Sequence, residues 1–118
     1  MILADTSVWI EHFRRGDARL HLALTEGEVL MHPFIIGELA CGNFAKRDET
    51  LELLGQLPMS RVATHEETLA MIDRRKLAGR GIGYIDAHLL AAVALTTDAR
   101  LLTNDKRLNT VADSLRLT

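Results

Sequence analysis

Two aspartates in this chain stand where an apolar run stops and a helix-like run begins. The run Met1 to Ala4 ends on Asp5, is followed by Thr6 and Ser7, and turns apolar again at Val8, Trp9 and Ile10. The run from Arg100 to Thr103 leads through Asn104 to Asp105 and then to Lys106. Continuous apolar runs of this kind fit strands covered on both faces of a parallel sheet. Ligands of such sheets bind outside the carboxyl ends of the strands, which is where Asp5 and Asp105 would stand. Aspartate is also a favoured helix N-cap, so either residue by itself fits a purely structural role.

Two further acids lie near helix starts. His32-Pro33 opens a helix, with proline at the first position, where its missing donor costs nothing. Gly42 and Asn43 are the stop signals. On the helical wheel Glu38 falls between Phe34 and Ile35, inside the apolar arc. An ionised carboxylate there is costly unless it is paired or bound to a cation. The alternative is a glutamate at the core's edge that reaches solvent or an arginine. Asp86 begins the alanine-rich helix that runs to Leu95, where the helix dipole favours a negative charge, and capping explains it equally well.

The remaining elements place these residues. Thr6 to Arg14 reads as a helix ended by Gly16. Asp17 caps a short helix carrying Leu20, Leu22 and Leu24. Val29 to Met31 is a candidate strand and Arg47 to Leu57 a helix ended by Pro58. Arg61 to Ala63 is a candidate edge strand. Thr64 and Glu67 form a capping box for a helix running to Gly79. The loop Gly79-Arg80-Gly81-Ile82-Gly83 lacks the Gly-Lys-Ser/Thr ending of a phosphate-binding P-loop and reads as an entry into the helix of Asp86. His88 reads as a packed or surface histidine. A helix from Lys106 to Ala112 precedes a last short strand, Leu115 to Leu117. Strands alternating with helices give an α/β fold, a parallel sheet with helices on both faces. No repeat, linker or low-complexity segment divides residues 1–118, so one domain is expected.

Composition bounds the function. The chain has 118 residues, 47% hydrophobic and 25% charged, a globular profile. Aromatics are 4%, too few for a base-stacking platform. The net charge of -2 gives no bulk attraction to polyanions, so nucleic-acid contacts would use local clusters. Such clusters are Arg14, Arg15 and Arg19; Lys46 and Arg47; Arg74, Arg75, Lys76 and Arg80; and Lys106 and Arg107. Each also fits a solvated helix face. Cys41 is the sole cysteine, which excludes an internal disulfide and a cysteine zinc site and suits a reducing cytoplasm. The first apolar run has no basic segment before it and is interrupted by Asp5, so no signal peptide is expected, and no apolar run nears the ~20 residues of a membrane span.

If Asp5, Glu38, Asp86 and Asp105 converge, they need a cation. Two unit charges ~5 Å apart repel by about 3 kcal/mol at an effective dielectric of ~20, against a total stability of ~5–15 kcal/mol. Oxygen-only ligands select a hard ion, Mg²⁺ or Mn²⁺, which suits phosphodiester hydrolysis.

Four stretches carry a family resemblance: Asp-Thr-Ser-Val-Trp-Ile, His-Pro-Phe-Ile-Ile-Gly-Glu-Leu, Gly-Ile-Gly-Tyr-Ile-Asp-Ala-His-Leu-Leu-Ala and Leu-Leu-Thr-Asn-Asp-Lys-Arg-Leu. In this order and spacing they resemble the PIN-domain ribonucleases, in particular the VapC toxins of toxin–antitoxin modules. The resemblance implies a three-layer PIN-like fold with four to five short parallel strands, and a Mg²⁺-dependent endoribonuclease with Mn²⁺ as a substitute ion. It carries the acidic quartet onto Asp5, Glu38, Asp86 and Asp105, with Asp98 competing for the fourth place, although Asp98 precedes the strand and should lie at its opposite end. Asp5 and Asp86 would hold the metal most directly. The polar residue after the first acid is Thr6 or Ser7, Ser7 matching better, and Thr103 is the hydroxyl before the fourth acid. The resemblance also implies an RNA substrate, its backbone held by the Arg and Lys clusters, a small cognate antitoxin and a homodimer. Leu20, Leu24, Leu51 and Leu54 look exposed enough to serve such partners.

Two other readings remain. A phosphoacceptor receiver domain would need a mid-chain acid after a strand, which Leu54 to Leu57 does not offer. A non-catalytic PIN-like RNA-binding or scaffold module would gain nothing from acids facing RNA.

Overall fold

The computed structural model describes residues 1–118. Strand β1 (Ile2–Ala4) is central, with β2 (Val29–Leu30) on one side and β3 (Arg100–Leu102) on the other, all parallel. Leu3 and Ala4 point to opposite faces of the sheet, and both are fully buried, so both faces are covered. Helices α1 (Thr6–Arg15) and α2 (Ala18–Thr25) separate β1 from β2. Then come α3 (Pro33–Ala40), α4 (Arg47–Leu54), α5 (His65–Arg74) and α6 (Tyr84–Leu95), before β3 and α7 (Lys106–Ser114). The α/β architecture is as the sequence predicts.

The sheet has three strands rather than four to five. Residues 61–63 form no strand; the Arg61 amide is taken by the Thr96 hydroxyl at 3.0 Å. Edge pairing occurs just upstream as a single parallel bridge, Met31 to Met59. Residues 115–117 also form no strand. The Leu101 amide donates to the Leu117 carbonyl, but Arg116 has a φ of 60°, which breaks the extended path a strand needs. Helix α5 stops at Arg74 rather than Gly79, because Lys76 is left-handed at φ 55°.

One core unites the layers, with Trp9, Leu20, Ile35, Leu90 and Leu108 buried in it. Helix α6 is buried over nearly its whole length, from Ala87 to Val93, which explains its alanines: small side chains let neighbours approach on every side. The leucines expected at the surface are inside. Leu20 and Leu54 are buried, and Leu24 and Leu51 pack on the core. At 100° per residue their neighbours point the other way, so Leu22 and Leu53 are the exposed ones, at 60% and 64%.

Candidate active site

Asp5 ends β1, and its amide still donates to the Leu102 carbonyl at 3.0 Å, extending the β1–β3 ladder by one bond. It also caps α1: Oδ1 accepts from the Val8 amide at 3.2 Å. The capping role and the site role therefore fall on one residue. Two hydroxyls clamp it. Ser7 Oγ donates to Oδ1, and Thr103 Oγ1 donates to Oδ2, each at 2.5 Å. Both hydroxyls accept in turn from the loop after β3, Ser7 from the Asn104 amide at 3.1 Å and Thr103 from the Asp105 amide at 3.0 Å. The ends of β1 and β3 are thus stitched together through Asp5, which is only 6% exposed.

Asp105 caps α7 with Oδ1, accepting from the Leu108 amide at 3.0 Å. Asp86 stands one turn into α6 and reaches back with Oδ2 to the Gly83 amide at 3.1 Å. Glu38 lies in α3 and is exposed, not within the apolar arc; its Oε1 accepts from Thr6 Oγ1 at 2.9 Å. Glu38, Asp86 and Asp105 share one pattern: one oxygen is fixed by the fold, and the other accepts nothing from the protein. Thr6 and Ser7 divide the work that sequence reasoning gave chiefly to Ser7, one orienting Glu38 and the other Asp5.

The charges of the other three acids reach Asp86. Burial raises the Asp86 pKa above its ordinary value, opposed by the Gly83 amide, and the charges of Asp105, Asp5 and Glu38 push it further up. These three are the other members of the predicted quartet. Asp98 is not at this edge. It precedes β3 with φ 59°, and its carbonyl accepts from the Met1 ammonium at 3.0 Å, at the opposite end of the strands. Asp98 therefore drops out as a fourth acid.

No three His, Cys, Asp or Glu side chains are drawn together tightly enough to hold an ion by themselves. The donor set nonetheless fits one kind of ion. Mg²⁺ keeps several waters and takes one or two carboxylates directly, and Glu38, Asp86 and Asp105 each offer one carboxylate oxygen free of protein partners. Sequence reasoning also missed an orienting contact: Arg19 Nη2 bonds Asp17 and Asn104, each at 2.7 Å. Its guanidinium holds the Asp17 pKa down to about 2. Arg19 is therefore a structural tie to the loop before Asp105, a long-range contact no local pattern signals.

The PIN domain model matches residues 2–114. The chain belongs to the PIN domain family. This PIN domain is also similar to Ribonuclease VapC32 of Mycobacterium tuberculosis, in strains CDC 1551 / Oshkosh and ATCC 25618 / H37Rv. Identity is 54% over 108 residues, covering 92% of this chain and 87% of the relative in each case. No helix of this PIN domain is long and apolar enough to cross a membrane.

Proposed function

We propose that this PIN domain is a Mg²⁺-dependent endoribonuclease, with Mn²⁺ as a substitute ion, acting as the toxin of a toxin–antitoxin pair. The observation that carries the reading is the carboxylate edge itself: Asp5 is locked between two hydroxyls, and Asp86 feels the charges of the other three acids. A relative named as a ribonuclease at 54% identity supports it. Clustered acids facing RNA would weaken a module that only binds, so catalysis is the better reading.

Asp5 and Asp86 would hold the ion most directly, with Glu38 and Asp105 completing its surroundings through water. When bound, the ion lowers the pKa of water and neutralises charge on the phosphate oxygens. The chain's own residues do the positioning. Ser7 and Thr103 fix the Asp5 carboxylate, and Thr6 holds Glu38, whose free oxygen would orient the attacking water. As that water's oxygen bonds to phosphorus it gives up a proton to a carboxylate of the edge, the P–O bond to the leaving ribose oxygen breaks, and that oxygen takes a proton from solvent.

The test is RNA cleavage by the wild type and by Asp86→Asn, with Mg²⁺ and with EDTA. Cleavage that survives EDTA, or near-wild-type cleavage by Asp86→Asn, would sink the reading. For partners we propose a homodimer and a small antitoxin, supported by the relative's VapC name and by exposed Leu22 and Leu53. Light scattering showing a monomer at every concentration would reject the dimer.

A further inference from the structure

The basic clusters of this chain differ in what they are bound to. Arg15 pairs with Glu11, Arg19 with Asp17, and Arg47 with Asp48. Arg80, Lys106 and Arg107 form no ion pair, yet the fold brings them to one cleft of about 250 Å³, with Thr110 and Val111 as its other lining. Arg80 comes from the glycine-rich loop, the other two from the first turn of α7. Gathering three unpaired cations is unfavourable unless an anion offsets their repulsion.

The cleft is also shaped. Gly81 has φ 81°, a conformation that favours glycine, and the Arg107 side chain lies directly against it. A Cβ added at Gly81 would stand 2.7 Å from Arg107 Cδ and 3.1 Å from Nη1. The glycine thus seats the arginine, a role the sequence gave no reason to expect of this loop. The cleft adjoins the acidic edge at two points: Lys106 follows Asp105, and the Arg80–Gly83 loop leads to the amide that holds Asp86.

We propose that Arg80, Lys106 and Arg107 bind a backbone phosphate of the RNA next to the scissile one. This inference rests on the ribonuclease reading above. The scissile phosphate belongs on the acidic edge, where an ion screens the carboxylates. A neighbouring phosphate meets no such ion and needs fixed cations instead. Such contacts position a strand without reading its bases, so the cleft sets where the chain lies and not which base is present.

The test is binding of a fluorescein-labelled single-stranded RNA by anisotropy, on the Asp86→Asn background in EDTA, where the RNA stays intact. The logarithm of the binding constant falls with the logarithm of salt by about 0.7 per phosphate neutralised on single strands. Arg80→Gln/Lys106→Gln/Arg107→Gln should lower that slope by about 0.7 and weaken binding equally for RNAs of different sequence. These side chains are exposed and make no hydrogen bond or ion pair within the protein, and their mutual repulsion is relieved in the variant, so it should melt no lower than wild type. Gly81→Ala keeps all three charges but displaces Arg107, and its affinity should fall toward that of the triple variant. An unchanged slope in the triple variant, with wild-type cleavage intact in Mg²⁺, overturns the phosphate site and leaves the cleft to an acidic segment of a protein partner. Absence of wild-type cleavage in Mg²⁺ instead brings down the ribonuclease reading, and this inference with it.

Discussion

The Thr103 hydroxyl donates to Asp5 and accepts from the Asp105 amide, so one oxygen atom holds the Asp5 carboxylate and the backbone of Asp105. It is buried, and a buried partner left without a hydrogen bond costs about 1–3 kcal/mol. Thr103→Val should lower stability by about that amount and cut RNA cleavage, while Thr103→Ser, which keeps the hydroxyl, stays near wild type in both. Equal activity in the Val and Ser variants would show that the hydroxyl does nothing for the site. Asp86 makes a second prediction at this scale. Asp86→Asn keeps an oxygen that can accept from the Gly83 amide, but removes a charge from the proposed ion site. Losing several kcal/mol of ion-derived stabilisation should cost about three or more decades in cleavage rate. The pH dependence of stability has a definite sign. In metal-free protein the raised Asp86 pKa means the native state holds a proton that the unfolded chain has already released. That contribution is complete below the ordinary carboxylate pKa of about 4 and is lost as pH rises through the raised value. The melting advantage of Asp86→Asn over wild type in EDTA should therefore grow as pH rises from about 4, and a pH-independent difference would contradict it.

At the scale of elements, α3 is held to the site by a histidine. His32 caps α3, its Nδ1 accepting from the Phe34 amide at 3.0 Å. The proton of the neutral ring therefore sits on Nε2, which is buried without a partner. Burial, with His88 nearby, lowers the His32 pKa from 6.5 to about 4. Protonation would remove the acceptor that caps the helix carrying Glu38. The unfolded chain takes up this proton near pH 6.5 and the native state only near pH 4, so stability falls as pH drops through that window. The loss is roughly 3 kcal/mol at most, at 1.36 kcal/mol per pKa unit. His32→Asn keeps a capping side chain that does not titrate. It should be less stable at neutral pH, from lost packing, yet lose less between pH 6.5 and 4 than wild type. Parallel pH profiles in thermal melts would reject the role. A second buried histidine, His88, lies in a bonded series whose direction is fixed. The Thr68 hydroxyl donates to the Thr64 carbonyl, so it accepts from His88 Nδ1 at 3.3 Å. His88 Nε2 then accepts from the Tyr84 hydroxyl at 2.8 Å, and Tyr84 accepts from His65 Nδ1 at 2.6 Å. This joins the start of α5 to the start of α6, the helix that carries Asp86.

For the molecule as a whole, the acidic edge is a destabilising concentration of charge in a protein whose net charge is only -2. A ligand that binds only the folded state adds RT ln(1 + [L]/Kd) of stability. Mg²⁺ or Mn²⁺ at millimolar concentration should therefore raise the melting temperature, and Asp5→Asn should remove most of the gain. Identical melting curves with and without Mg²⁺ would count heavily against an ion at this edge.

The sequence by itself determined the elements that carry the acids. Each apolar run ending on an acid became a strand leading into a capped helix, and Pro33, Gly16 and the Thr64–Glu67 box marked helix limits where the chain has them. These are local effects of capping, backbone freedom and periodicity, so a short window of sequence contains them. Asp98 precedes β3 and Asp105 follows it, so chain direction alone already set them at opposite ends of the strand, and the parallel pairing of β1 with β3 puts Asp105 at the edge of Asp5 and Asp98 at the Met1 end. The exposure of Glu38 and of Leu22 and Leu53 likewise depended on which neighbours cover each helix face. The strand count failed because Arg116 turns the chain at a positive φ and Thr96 takes the Arg61 amide. The first is a local ending of α7, the Arg116 amide donating to the Asp113 carbonyl and the Leu117 amide to the Ala112 carbonyl, made without the glycine that usually marks such a turn; the second joins residues far apart in the chain, and hydrophobic pattern records neither.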